Sequence, residues 1–152
     1  MSDPYAKIIE LGHTMPVVAA PVASYVPAVR TGNLVYVSGQ LPFVDGKLTE
    51  TGKVGADVTA DRAKELAAIC ALNALAAVDS LVGLNEVVKI VKVGGFVASA
   101  EGFTGQPGVI NGASDLFLAV FGEAGRHARA AVGVSELPLG SPVELDLIVE
   151  VR

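Results

Sequence analysis

The sequence predicts an α+β domain, a sheet with two helices packed on one of its faces. Three observations lead there. Along the chain, extended and helical patterns follow the order strand, strand, helix, strand, helix, strand, strand. The final run alternates: Val143, Leu145, Leu147, Val149 and Val151 fall on one face, with Glu144, Asp146, Ile148 and Glu150 on the other. Between Thr59 and Val82, the residues Leu66, Cys70, Ala74, Ala77 and Leu81 recur at helical spacing and form a single apolar stripe.

Each element has its own signal. Pro4 to Leu11 suits a short helix ended by Gly12. Met15 to Ser24 sets Pro16 and Pro21 among Val and Ala, which reads as an extended connector. Ala28-Val29-Arg30 and Leu34 to Ser38 flank Thr31-Gly32-Asn33, a hairpin signal. Phe43 to Asp57, rich in Gly and charge, reads as a loop. Thr59 or Asp61 can cap the long helix and Gly83 can end it. Val87 to Val97 is β-branched and alternating, with a bulge expected at Gly94-Gly95. Gly108 to Glu123 reads as a second helix that turns Leu116, Val120 and Phe121 inward. Ala128 to Ser135 and Val143 to Val151 close the chain as strands.

Length and composition bound the rest. At 152 residues, one domain over 1–152 is expected, with 1–24 as an N-terminal extension. Hydrophobic residues reach 51% and aromatics only 5%, so the core is built from small branched groups. A net charge of −5 argues against sequence-independent binding of nucleic acid, which needs clustered Lys and Arg. Cys70 is the single cysteine, reads as a small buried hydrophobe, and gives no sign of an oxidising compartment. The first residues lack a basic region followed by an apolar run, and charge or Gly interrupts every apolar stretch short of a membrane span. The cytoplasm is the expected location.

The chemistry concentrates at His127-Ala128-Arg129-Ala130-Ala131-Val132 and at Glu144. Arginine binds a carboxylate through two parallel hydrogen bonds, and a nearby glutamate can hold a water or take its proton. Such a pair can process a small organic acid without a metal or cofactor. Both also have a structural reading, as salt-bridge partners at an interface. If the last two strands formed a tight hairpin about Leu139-Gly140, Arg129 and Glu144 would lie roughly 20 Å apart. A shared site then requires an intervening strand or two subunits, and a closed homo-oligomer is the favoured expectation. His13 and His127 have no Asp or Cys at ligand spacing, so no metal site is expected. Gly94-Gly95 lacks the strand-to-helix context of a phosphate loop, and no Gly-x-Ser-x-Gly motif is present.

Tyr25-Val26-Pro27-Ala28-Val29, the run from Gly32 through Ser38-Gly39-Gln40-Leu41-Pro42, Ala128-Arg129, Leu137-Pro138 and Val143-Glu144 together resemble the RidA/YjgF family, in order and approximate spacing. The resemblance runs from about Tyr25 to the C-terminus. The longer N-terminus, with Val109 to Ser114 and Gly122 to His127, is similar to a longer branch of that family.

The resemblance implies a chorismate-mutase-like fold with a mixed sheet. It implies a homotrimer whose sheets form a central barrel with clefts between neighbouring subunits. It also implies hydrolysis of reactive enamines and imines such as 2-aminoacrylate to a 2-keto acid and ammonia, with no PLP and no metal. On this basis Arg129 matches the carboxylate clamp, Glu144 the group that positions water, and Tyr25 a cleft residue from the adjoining subunit. Ser38 and Gly39 match the strand edge against the ligand, and Asn111 a helix residue near the pocket. Ala131 stands where many relatives have Cys, and only its backbone N–H would be needed. Two departures bear on substrate identity: the family's Pro-Ala-Arg-Ser reads His127-Ala128-Arg129-Ala130, and the loop before it differs. The rival readings are a non-catalytic protein that binds a small carboxylate-bearing metabolite in the same clefts, a structural or chaperone-like trimer, and an endoribonuclease or translation inhibitor. The acidic charge speaks against the last.

Overall fold

The computed structural model describes residues 3–20 and 24–152. Seven strands and three α-helices run in the order α1 (Pro4–Glu10), β1 (Ala28–Thr31), β2 (Leu34–Gln40), β3 (Phe43–Val44), β4 (Lys47–Leu48), α2 (Ala60–Leu81), β5 (Val87–Ala98), α3 (Gln106–Phe121), β6 (Ala128–Val134) and β7 (Val143–Val151). Five strands form one sheet in the order β1-β2-β7-β5-β6. Only the β5–β6 pair is parallel, with α3 as its crossover. The sheet is therefore mixed, and α2 and α3 cover one face of it.

β7 lies at the centre, and its alternation fixes which face is the core. Val143, Leu145, Leu147, Val149 and Val151 are all buried beneath the helices. Burial of each contributes roughly 1.5–3 kcal/mol against exposure. The even-numbered residues of β7 point to the opposite, uncovered face. α2 starts where Thr59 accepts a hydrogen bond from the backbone N–H of Arg62 and Asp61 sits in the first turn. Ala63, Ala67, Ala71, Ala74, Ala77 and Cys70 are buried along it, and α3 approaches closely: a Cβ on Gly112 of α3 would fall on the backbone carbonyl of Lys64. Leu81, the last residue of α2 and the end of the expected stripe, is 44% exposed.

Two expectations need correction. The stretch 43–57 is not loop throughout, since β3 and β4 form a short hairpin with Asp45 and Gly46 both at positive φ. Asp-Gly is the two-residue turn that such a hairpin favours, and it was legible as one. Gly94-Gly95 is no bulge either. Both residues pair regularly with β7, and the irregularities of β5 lie earlier, between Val87 and Lys89 and between Ile90 and Lys92. The glycines serve close approach instead. Ile110 of α3 fills the space a Cβ on Gly95 would need, and Asp146 does the same to Gly94 on the other face.

α1 is tied to the body by Tyr5, whose hydroxyl donates to Asp79 at 2.5 Å and accepts from the Leu84 backbone N–H at 2.9 Å. Residues 13–20 have no regular structure, in keeping with a connector; Pro21, Val22 and Ala23 lie outside the described residues. No helix among the described residues is long and apolar enough to cross a membrane.

Candidate functional site

Arg129 stands on the edge strand β6, opposite the buried Val93 of β5. Neighbouring residues across a ladder share a face, so the guanidinium projects to the helix side, against the flank of α3. There Nη1 donates to Asn111 Oδ1 at 2.7 Å and to Ser114 Oγ at 3.2 Å, and Nη2 reaches the Pro107 carbonyl at 3.4 Å. Asn111 and Ser114 are one turn apart on α3, which is why they meet the same group. Both hydrogens of Nη1 are thus committed to the protein. Nε and one of the two Nη2 hydrogens have no partner among the described residues, and no carboxylate lies within 4.0 Å of Arg129. Those free donors suit the binding of a carboxylate.

His127 extends this network. Its Nδ1 is 2.6 Å from the Gly125 carbonyl and its Nε2 is 2.9 Å from Ser114 Oγ. Phe117 meets the imidazole edge-on, with ring centroids 6.0 Å apart. Asn111, Ser114, Leu118, His127 and Arg129 line one open depression of about 270 Å³. Ala130, the second changed residue of that motif, faces the opposite side of the sheet, beside Gly94. Only His127 of the two therefore touches the surroundings of the arginine.

Glu144 belongs to a second cluster. Ser38 donates its hydroxyl to the Val26 carbonyl at 2.6 Å and its backbone N–H to the Pro27 carbonyl at 2.9 Å. These bonds dock the segment before β1 onto β2, so Tyr25, which is 44% exposed, shares a small groove with Gly39 and Phe43. The place of a Gly39 Cβ is taken by the Glu144 carboxylate, 2.5 Å from it. Glu144 is half-buried on the uncovered face, opposite Phe96, with no basic partner within 4.0 Å among the described residues. Burial, and after it the like charge of Asp146 two positions along, pushes its carboxyl above the usual carboxylate range. Asp146 is itself raised by burial, opposed by the backbone N–H of Gly94 and the charge of Lys92.

The sequence-predicted residues therefore fall into two groups. Arg129 and Asn111 are together; Tyr25, Ser38, Gly39 and Glu144 are together. Ala131 lies on the helix side opposite Gly95 and packs against the core. The groups do not meet within one chain. β6 and β7 form no hairpin, because β5 lies between them. Arg129 pairs with Val93 and Glu144 with Phe96, three residues along the same strand. Two strand spacings and three residues separate their Cα atoms by about 14 Å, less than the hairpin geometry gave, and their side chains leave opposite faces. Sequence reading had not assigned Ser114, His127 or Asp146. The first two left a signal: Asn111 and Ser114 are polar residues at helical spacing on an apolar helix, and His127 sits two positions before Arg129, on the same face of an extended segment.

Fold and site together define a chorismate-mutase-like α+β protein with an unpaired arginine at one sheet edge. A family described as "YjgF/chorismate_mutase-like, putative endoribonuclease" matches residues 5–151, and the chain belongs to this YjgF/RidA family. A crystal structure of Atu1372 from Agrobacterium tumefaciens, a protein of unknown function, is 48% identical with a TM-score of 0.93, the match covering 98% of this chain and 92% of that one. Protein TCP17 of Trypanosoma cruzi is 45% identical over 97% of this chain and 93% of its own length. A 2-iminobutanoate/2-iminopropanoate deaminase of Dermatophagoides farinae is 29% identical over 90% of this chain and 93% of its own length.

Proposed function

We propose that the chain hydrolyses small imines and enamines that carry a carboxylate, of the 2-aminoacrylate type, to a 2-keto acid and ammonia. The observation that carries this reading is the Arg129 guanidinium, held by Asn111 and Ser114 through Nη1 with Nε unpaired among the described residues. The named activity of the Dermatophagoides relative supports it.

The two clusters then act across a seam between copies. The Arg129 edge of one subunit faces the Tyr25, Ser38, Gly39 and Glu144 cluster of the next, and the uncovered sheet faces close on one another in a homotrimer. The apolar content of that face supports such closure, since Val29, Tyr36 and Val132 are all exposed. Arg129 binds the substrate carboxylate through Nε and Nη2. The conjugated imine carbon is already electrophilic, so the protein has to place a water against it. Glu144 accepts a proton from that water as its oxygen bonds to the carbon, and the C=N electron pair moves to nitrogen, which takes a proton from solvent; Glu144 then passes its own proton to that amine, and the carbinolamine hydroxyl gives its proton to solvent as the C–N bond breaks. Collapse of the resulting carbinolamine expels ammonia and leaves the keto group. Orientation of the reactants alone lowers such a barrier by several kcal/mol.

The test generates 2-aminoacrylate in situ from serine with a dehydratase and follows its decay with wild type and Arg129→Ala. Acceleration by the wild type, lost in the variant, is expected. Equal rates, or no acceleration by either, reject the reading.

A second reading has one observation in its favour: a single chain already holds everything needed to bind an anion at Arg129, while the acid that handles water is on the other face. The protein then binds the carboxylate without turnover. Calorimetry with a 2-keto acid, showing tight binding together with no acceleration of imine decay, selects this alternative. RNA cleavage is not expected, since the uncovered face carries Glu144, Asp146 and Glu150.

A further inference from the structure

We propose that His127 is a positioning residue that sets, through Ser114, how many hydrogen-bond donors the Arg129 depression offers an anion. The inference rests on the reading of Arg129 as a carboxylate clamp and adds to it a protonation-dependent component on α3.

The direction of each bond follows from the groups present. The Gly125 carbonyl can only accept, so Nδ1 of His127 carries a hydrogen. In the neutral ring Nε2 is then an acceptor, and Ser114 must donate its single hydroxyl hydrogen to it. The Ser114 oxygen in turn accepts from Arg129 Nη1. The serine hydrogen points at the histidine and is withheld from the depression. Protonation of His127 reverses the middle bond. Nε2–H then donates to the serine oxygen, which already accepts from Arg129, and the hydroxyl hydrogen is released to turn into the depression. One proton taken up at the ring thus adds both a positive charge and one neutral donor beside the guanidinium.

The setting is specific to this arrangement. Phe117 and the Gly125 carbonyl fix the imidazole plane, and Ser114 is a buried hydroxyl on α3. The charged groups around the ring come from three directions. Arg126 and Arg129 flank it in the chain, and Asp115 lines the same depression from α3. Glu123 holds Arg126 at 3.0 Å and Lys64 of α2 approaches Asp115 at 3.9 Å, so Arg126 and Asp115 each have a charged partner, and Arg129 is the cation beside the ring that an anion in the depression would neutralise. Lys92, opposite Ala128 in the sheet, projects to the uncovered face.

Histidine is the side chain whose ordinary titration spans about pH 5 to about pH 8. A small 2-keto acid stays ionised across that range, so its own charge does not change. The experiment measures binding of 2-oxobutanoate to the intact protein by calorimetry across this window, with ¹⁵N NMR of the imidazole nitrogens in parallel. Binding is expected to tighten roughly five- to tenfold as pH falls across this window, from one added charge and one added donor at short range. His127→Gln, whose amide oxygen keeps an acceptor near Ser114 but does not titrate, should hold the high-pH affinity at every pH. Ser114→Ala should flatten most of the dependence while His127 still titrates. NMR should show hydrogen on Nδ1 in the neutral ring.

A neutral ring with hydrogen on Nε2, or a pH dependence that survives unchanged in His127→Gln, overturns the proposal. A Nδ1–H ring whose titration shifts in Ser114→Ala, in a protein that binds no 2-oxobutanoate at any pH, upholds the relay and instead overturns the carboxylate reading of Arg129.

Discussion

Replacing Gly39 with Ala separates the role proposed for Glu144 in the chemistry from the stability of the fold. Gly39 is not among the residues at positive φ, so alanine can adopt its backbone conformation. Its new methyl would stand 2.5 Å from Glu144 Oε2, 3.0 Å from Cδ and 3.4 Å from Cγ, and these are the three nearest atoms outside its immediate neighbours in the chain, so any other contact is an ordinary one at 3.4 Å or beyond. The atom that must yield is the tip of a flexible side chain rather than backbone. To restore an ordinary contact near 3.4 Å, the carboxylate has to move by about 0.9 Å. A misplacement on the order of 1 Å in a catalytic group costs roughly a hundredfold in rate, about 2.7 kcal/mol of barrier. Stability should change by less than about 1 kcal/mol, which in a domain of this size shifts Tm by no more than about 4 °C. The assay is the decay of imine generated in situ, run on wild type, Gly39→Ala, Glu144→Ala and the double variant, with thermal melts alongside. In the Glu144→Ala background the extra methyl has nothing left to displace, so the double variant should match Glu144→Ala alone. Full activity in Gly39→Ala refutes the placement of Glu144 in the chemistry. A further loss in the double variant shows that the methyl acts on something else.

Three other outcomes are expected. Asp146→Asn removes the like charge that helps raise the Glu144 carboxyl but keeps an oxygen for the Gly94 backbone N–H; activity that needs ionised Glu144 fails as pH falls through that carboxyl's titration, so the acid limb of the pH–rate profile should move to lower pH. An acid limb that stays in place, or moves up, contradicts this. Gly112→Ala places a methyl 1.9 Å from the Lys64 backbone carbonyl, between two helices that cannot part cheaply; overpacking outweighs the helix-propensity gain by roughly 2 kcal/mol and should lower Tm by about 4–8 °C, read by calorimetry. Ile148→Asp puts a charge on the uncovered sheet face, opposite Tyr36 and Lys92, and should convert a trimer to folded monomers by light scattering, without loss of secondary structure. A wild type already monomeric at micromolar concentration refutes the seam between subunits.

The site was legible in the sequence where a motif and a periodicity coincided. Arg129 and Glu144 stood out because each is a charge on a strand of small or apolar residues, and β7 gave the face of Glu144 by alternation alone. The resemblance places Ser38 at a strand edge and says nothing of its hydroxyl, which anchors the incoming segment twelve residues earlier in the chain, a contact that local pattern does not report. Gly94 and Gly95 were read through their backbone, whereas their role is the space they leave for Asp146 and Ile110. His127 has no metal-ligand companions in the sequence; the Gly125 carbonyl is its local partner, and Ser114 comes near it only once α3 has folded over the sheet.

The chain by itself determined the class of fold, the helices and strands, the buried face of the last strand and the residues suited to an organic anion. These follow from period, capping and side-chain chemistry, which act over a few neighbouring residues. Only the tertiary structure decided that β5 separates the last two strands, that Arg129 and Glu144 leave opposite faces of the sheet, and that the arginine is held on α3 through its two Nη atoms with Nε left without a partner among the described residues. Strand order and hydrogen-bond partners depend on contacts between residues distant along the chain, and those exist only once α2 and α3 have packed onto the sheet.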